Sequence, residues 1–450
     1  MTELSAVAHR AVEAATAAGA GDAEAYVSRE SGREVRVHGG EVESLTAAVQ
    51  TGVGIRAWRG RRVGYAYGTD LTEAGVAAIA DRAAEAAAVA DEDEFAAPPR
   101  PAEIESLPGL GDPSIAEWEA SRLAELALTV ERTALASDSR LVGVETAVYA
   151  DAAEQVAIAS STGIAGEYET STCYAYLQAL AEGEGARETG LGFGLARGPR
   201  GLDPEAIGAE GARRALDMIG AGKPESRSCP VVLDATVAAG FVGLLGGGLS
   251  AKAVQRGRSP LAGRLEEEVA SAAFALHDDG REPDGPASAP FDGEGVSRRR
   301  TALIERGRLR SYLYDTYAAN REGGSSTGSA ARGSYRSLPS VSTSNLVVAP
   351  GSHSFEELLA QAGEGVFVDD VAGLHSGVNP VTGVFSVGAS GRMIRGGQLA
   401  EPVREFTIAG ELVAMLGAVS AAGADTRWVP FGGSVSTPPL LIAELAISGS

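Results

Sequence analysis

The chain has five histidines, His9, His38, His277, His353 and His375. No two stand three or four residues apart, so no helical turn offers paired imidazoles to one metal ion. His277-Asp278-Asp279-Gly280 puts an imidazole and two carboxylates in one short loop. That set could hold an ion, but beside Gly280 it reads as a solvated turn. His375 follows Asp369 and Asp370 and borders a glycine-rich block, which makes it a candidate to contact a peptide or a partner. Gly324-Ser325-Ser326-Thr327-Gly328 satisfies Gly-x-Ser-x-Gly. A nucleophile elbow needs an apolar strand before it and a helix after it, and the flanking residues 319–323 and 329–333 predict neither. No phosphate-binding glycine loop ending in Lys-Ser/Thr is present, and no Gly-x-Gly-x-x-Gly follows a strand, so nucleotide binding has no support. Cys173 and Cys229 are the only cysteines. They make no disulfide scaffold, and a reducing cytoplasm suits them.

The densest pattern runs from Leu374 to Gly410. Asn379-Pro380 and Thr382-Gly383 are turn signals. Val384, Ser386, Gly388 and Ser390 alternate with Phe385, Val387 and Ala389, as on the two faces of a strand. Arg395-Gly396-Gly397 marks a hairpin tip, with Val403 to Ile408 returning. Glycine weakens a strand, so Gly377, Gly383, Gly388 and Gly391 need a reason. Ordinary tight turns are one, and positive φ or the close approach of a second backbone is the other. On this basis the block is expected to face a cavity or a partner. Asn379 and Thr382 would then offer side-chain hydrogen bonds there.

The block also resembles a known family. Gly377-Val378-Asn379, Val381-Thr382-Gly383, Phe385-Ser386, Gly388-Ala389-Ser390-Gly391, Pro402-Val403 and Thr407-Ile408-Ala409-Gly410 stand in the order of the C-terminal signature of the TldD/TldE (PmbA) family. Ser288 to Gly295, Ser311 to Tyr317 and Ser326-Thr327-Gly328 look like further family segments. The resemblance implies a peptidase complex of two related chains. The TldD branch carries His-Glu-x-x-x-His on the first helix of its C-terminal domain and a later cysteine, and binds a catalytic metal. Lining this chain up on that pattern puts Val242 and Gly247 at the histidine positions and Gly243 at the glutamate position. None of these can bind zinc or move a proton, and both cysteines precede the helix.

The resemblance therefore implies a TldE-like subunit without catalytic residues or a metal of its own. It would pair as a heterodimer, or a higher assembly, with a TldD-like metallopeptidase carrying zinc or another metal. Its substrates would be unfolded or modified peptides. The residues expected to meet peptide or partner are His375, Gly377, Asn379, Thr382, Gly383, Ser386 and Ser390. β-Augmentation, with an extended peptide added to a sheet edge, is the expected route. An autonomous biosynthetic amide hydrolase and a purely structural scaffold are the alternatives.

Composition sets outer bounds. The 450 residues suffice for two or more domains, and 44% apolar content with 5% aromatics predicts cores of Ala, Val and Leu. A formal charge of −22 argues against nucleic acid as a direct partner. No signal sequence, and no apolar run long enough to span a membrane, is expected.

In chain order the pattern predicts an α+β fold. An N-terminal α/β region over residues 1–223 comprises two helix–strands–helix units, with an acidic, proline-rich connector near 91–113. A mostly β C-terminal domain follows over 229–450, after a polar hinge. The first unit is a helix over 5–18, strands at 23–29 and 33–38 with a turn at Ser31-Gly32, a hairpin over 49–67, and a helix capped by Asp70 with Glu73. The second is a helix over 114–137, strands at 141–151, 155–160, 166–182 and 189–196, and a helix from Asp203-Pro204. Later expectations are a helix at 235–253, a loop at 277–292, strands at 300–305 and 309–314, a loop at 320–340, and a helix over 355–361 boxed by Ser354 and Glu357. A short helix at 411–421 and strands at 428–435 and 440–447 close the chain.

Overall fold

A computed structural model describes residues 2–101, 103–430 and 433–449. Helix α1 (Glu3–Ala17) starts where the Thr2 side chain accepts from the Ser5 N–H, and buries Leu4, Val7, Ala8, Ala11, Val12 and Ala15. Strands β1 (Asp22–His38), β2 (Glu41–Arg59) and β3 (Arg62–Gly68) lead to α2 (Glu73–Val89). After the connector come α3 (Ser114–Glu117), α4 (Ala120–Ser137), β4 (Leu141–Ser160), β5 (Ala165–Gly183), β6 (Ala186–Ala196) and α5 (Pro204–Asp217). The two helix–strands–helix units share one antiparallel sheet, ordered β3-β2-β1-β4-β5-β6. α1 and α2 pack over its first half, and α4 and α5 over its second.

The remainder is built around α6 (Ala235–Gly248), which follows β7 (Arg227–Leu233). Then come α7 (Ala251–Gln255), β8 (Leu276–Asp279), β9 (Arg300–Glu305), β10 (Arg308–Leu309), α8 (Thr316–Arg321), β11 (Ala330–Ala331), β12 (Ser340–Val341), β13 (Asn345–Val348) and α9 (Phe355–Ala362). The last stretch is β14 (Gly365–Ala372), α10 (Leu374–Gly377), β15 (Val384–Arg395), β16 (Gln398–Glu411), α11 (Leu412–Gly417), β17 (Val419–Ala422), β18 (Arg427–Val429), β19 (Ser434–Thr437) and β20 (Leu440–Ser448). They form two six-stranded sheets, β10-β9-β8-β13-β19-β18 and β16-β15-β14-β7-β20-β17. α6 touches strands of both, and Phe241, Val242 and Leu245 sit in the shared core with Phe385, Phe406 and Leu346. The fold is α+β, as the pattern predicted.

Several local expectations fail for physical reasons. Ser31-Gly32 is no turn. It runs through β1, because β2 and β4 pair with it from both sides. Likewise residues 141–160 form one strand. The cap of α2 is Thr72, which accepts from the Gly75 N–H, while Asp70 accepts from the Thr72 hydroxyl and N–H. The helix expected over 114–137 breaks at Trp118, whose backbone is extended, and that expected over 235–253 breaks after Gly248. His277, Asp278 and Asp279 lie in β8, not a loop. Residues 310–314 are not strand, α8 was not foreseen, and the strand expected over 428–435 is two short ones. Residues 431 and 432 of that expectation lie outside the described residues. The capping box on α9 is present as expected.

The other face of the first sheet meets the C-terminal elements through an apolar cluster, with Tyr26, Val156 and Ile158 against Phe291 and Tyr335, and through ions. Arg56, 8% exposed, lies between Glu24 at 2.6 Å and Glu294 at 3.0 Å, and Arg332 also pairs with Glu24. Glu294 further accepts from the Thr316 N–H at 2.8 Å, and its neighbour Asp292 accepts from the N–H groups of Glu294, Val296 and Ala330. The segment over 288–295 is thus a keystone between the two parts of the chain.

Candidate functional site

The outward face of β15 reaches a cleft at Ser390. Phe385, Val387 and Ala389 point into the core. Val384, at 55% exposure, and Ser386 point out, and Ser390 reaches the wall of a cavity of about 350 Å³. The opposite wall comes from β5 and β6, through Gln178, Glu188, Thr189, Leu191 and Phe193. Asp369 and Asp370 of β14, Thr236 at the start of α6, and Arg214 and Arg404 complete it. Arg214 and Asp369 also line an adjoining cavity of about 240 Å³, with Asp234, His353, Arg392 and Asp425.

Charge crowds this cleft. Arg214 reaches Glu210 at 3.2 Å and Asp234 at 3.5 Å, and Arg427 holds Glu210 at 2.5 Å while donating to the Phe193 carbonyl at 2.7 Å. Arg404 pairs with Glu188 at 2.7 Å. Burial lifts the Asp369 carboxyl to about 7, reinforced by Asp234, Asp370 and Asp217 and only partly offset by Arg214. Burial likewise raises Asp370. Glu210 behaves oppositely, because Arg427 outweighs its burial and holds it below the usual carboxylate range.

The raised Asp369 has a thermodynamic consequence. An acid whose folded pKa exceeds its unfolded one keeps its proton longer in the folded state, so stability falls as pH climbs from about 4 to about 7. Asp369→Asn is therefore expected to stabilise the chain at pH 8 by roughly 1–2 kcal/mol after allowing for solvent screening, seen as a higher melting temperature, and to change nothing at pH 4. Thermal scans at the two pH values check this.

The residues singled out in the sequence do not all converge. Ser386 and Ser390 share the outward face of β15. His375 lies exposed on α10, and the imidazole that shares a cavity with Asp369 is instead His353. The Asn379 side-chain oxygen Oδ1 accepts from the N–H groups of Val381 and Thr382, so it closes its own turn. Thr382 accepts from the Val384 N–H at 3.4 Å. Gly383 has φ of +75° and is packed near Leu412 and Pro260.

Two glycines answer a close backbone, and that backbone belongs to the same chain. A Cβ on Gly377 would sit 2.5 Å from the Ser386 carbonyl oxygen, and one on Gly391 1.9 Å from that of Phe367. The open side of β15 near its start is taken by residues 378 and 379, which bridge Phe385 and Val384. The open edge at the start of β15 is thus filled by this chain's own backbone.

The other candidates resolve simply. Ser326 and Thr327 contact the Tyr314 carbonyl from a coil, so no nucleophile elbow exists. His277, Asp279 and Glu282 gather with ligand atoms within 4.8 Å of one another, but Arg300 lies 3.3 Å from the His277 ring. Burial, with Arg300, lowers that imidazole to about 4. On α6, Val242 is 1% exposed in the core and Gly247 faces out with nothing near it. Sequence reasoning missed Arg214, Asp234, Glu188, Arg404 and Arg427. Only Asp234, an acid just before a helical run, carried a readable signal, as an N-cap.

Comparison with known proteins follows the same lines. Family models for the PmbA/TldA metallopeptidase domain 1, central domain and C-terminal domain match residues 23–87, 113–219 and 226–449. A metalloprotease PmbA of Escherichia coli is 30% identical over 94% of this chain and 92% of its own length. A metalloprotease PmbA homologue of Haemophilus influenzae is 29% identical over 98% of this chain and 95% of its own. The crystal structure of TldE from Thermococcus kodakarensis superposes with a TM-score of 0.92 at 22% identity, over 98% of this chain and all of that one. With matching domains in order along its length and a relative of this identity and coverage, the chain belongs to the TldD/TldE (PmbA) family.

Proposed function

We propose that this chain is a metal-free, TldE-like subunit that acts with a TldD-like metallopeptidase on unfolded or modified peptides in the cytoplasm. The observation that carries the reading is the make-up of α6. At the positions where the family pattern places two histidines and a glutamate stand Val242, Gly247 and Gly243. Val242 is packed against the core, and neither glycine has a side chain to donate. These residues do not fit a catalytic metal.

What the chain keeps is the cleft. An extended peptide can lie in it past Ser390 of β15, with β5 and β6 as the facing wall. Glycine and serine leave room for a backbone and supply small hydrogen-bonding groups. Asp369, close to half-ionised near neutrality, can accept or donate a hydrogen bond there. In this reading the partner cuts, and this chain shapes the chamber and holds the peptide.

Elemental analysis of the purified chain tests the metal assignment. The expected result is well below one transition-metal ion per chain. About one zinc per chain, lost in His277→Ala or His375→Ala, would contradict it.

A further inference from the structure

We propose that the cavity between the first sheet and the segment over 286–298 binds a short peptide with both ends free, its ammonium at Glu30 and Glu154 and its carboxylate at Arg298. The cavity holds about 340 Å³, within the range of small-ligand sites. Tyr26 and Glu30 of β1, Glu154 of β4 and Tyr168 of β5 line its floor. Residues 286–289, 292 and 293, with Arg298 and Arg332, line its roof. It shares no lining residue with the cleft at Ser390, so the two sites are independent.

The walls carry charge that the chain itself leaves unanswered. Glu30 and Glu154 stand directly opposite each other across the β1–β4 ladder, an arrangement that costs stability between like charges. Neither has a hydrogen bond or an ion pair among the described residues. Burial, with Glu30 opposite, lifts the Glu154 carboxyl to about 7, as befits a carboxylate without a counter-charge. In the roof, Arg298 donates from Nη1 to the Ala287 carbonyl at 3.1 Å, but its Nε is buried without a partner and no carboxylate among the described residues pairs with it. Arg332, by contrast, is engaged by Glu24 and by the Gly293 and Ser337 carbonyls. Tyr26 completes the set. It is 6% exposed, lines the cavity and makes no hydrogen bond among the described residues. Polar groups withdrawn from solvent are as a rule partnered. Glu154, Arg298 and Tyr26, unpartnered around one cavity, point to a ligand with the complementary groups.

Such a ligand offers a cation to the floor and an anion to the roof. The two wall charges are not adjacent. Tyr26 and Tyr168 lie within electrostatic reach of both Glu154 and Arg298, whereas Glu154 feels Glu30 but not Arg298. A free amino acid carries both its charges on one Cα and reaches only one wall at a time. A second residue adds about 3.5 Å of chain. It also brings a peptide group to which the Tyr26 hydroxyl can hydrogen-bond. Tyr168, edge-on to Phe291 with ring centres 5.0 Å apart, gives the middle of the cavity an apolar surface for a small side chain. A guanidinium prefers a carboxylate, which it meets with two parallel bonds, over an amide.

The test is calorimetric titration of the full chain with L-alanyl-L-alanine in ~0.15 M salt, where long-range charge is screened. The dipeptide is expected to bind at one site per chain with a Kd below about 1 mM. Its N-acetyl form, its amide and free alanine are each expected to bind about tenfold more weakly or worse. Variants separate the site from the scaffold. Glu154→Gln, which has no bond to lose, is expected to fold at least as well as the parent and to bind the free and N-acetylated dipeptides alike. Arg298→Met is expected to bind the free and amidated dipeptides alike, and Tyr26→Phe to weaken the free dipeptide severalfold. No heat from the dipeptide up to ~10 mM overturns the proposal. So do equal affinities of the parent for free and blocked forms, tighter binding of free alanine, or full binding retained in Glu154→Gln, which would place the peptide elsewhere.

Discussion

Arg56→Ala is expected to destabilise the chain by about 3–5 kcal/mol, the usual cost of removing one partner from a buried ion pair. Arg56 alone touches both Glu24 on β1 and Glu294 in the keystone segment, and it stacks over Trp58 at 4.6 Å. Glu24 would keep Arg332, but Glu294 would be left with the Thr316 N–H and no counter-charge. Arg56→Met/Glu294→Gln is therefore expected to recover more than half of the loss, because it removes the stranded charge. The pH dependence has a definite sign. Burial alone would raise Glu294, yet Arg56 and the Thr316 N–H outweigh it and hold the carboxyl below its ordinary range. The contribution of the pair is present above that range and is lost as pH falls through it. Urea unfolding at pH 7 and pH 3 reads all three outcomes. An Arg56→Ala loss that does not shrink between pH 7 and pH 3 would mean the side chain acts by packing rather than charge.

Gly391→Ala is expected to cost about 3 kcal/mol or more, whereas Gly388→Ala, three residues away on the same strand, should stay within about 0.5 kcal/mol of the parent. The added methyl at Gly391 meets the Phe367 carbonyl oxygen at 1.9 Å, in the backbone of the adjacent strand β14, which can only give by breaking the pairing of Val368 with Gly391. At Gly388 the nearest atom is the Ala372 Cβ at 3.8 Å, an ordinary contact. The pair separates two meanings that one motif merges. Gly391 is glycine so that its own sheet can close, and Gly388 is outward-facing with room for a methyl group. Melting temperatures distinguish them directly, and equal losses would show that the outward face of β15 is packed after all.

Much of the fold was legible wherever a local signal and the tertiary structure agree. Asp203-Pro204 opens α5, and Ser354 and Glu357 box α9. The alternation in Val384 to Ser390 gave the correct inward and outward faces. Local signals failed where pairing on both sides overrode them, as at Ser31-Gly32, which β2 and β4 hold extended. The cleft was the least legible part. Its charged groups come from β6, α5, β14, the start of α6 and the segment around Arg404, far apart in the chain. No spacing rule links Glu188, Arg214, Asp369 and Arg404; only the packing of the first sheet against the C-terminal strands does. The glycine block was read well as turns and strand. The close backbone it answers proved to be its own, because the segment after α10 folds back on β15.

The central claim, that this chain serves cleavage without performing it, is tested most directly by following hydrolysis of an unfolded peptide with the purified chain, with a TldD-like metallopeptidase, and with the two mixed. The account predicts no turnover above background from the chain alone and cleavage by the mixture that stops with a metal chelator. Turnover by the chain alone that survives the chelator and rises in step with its purity would contradict it.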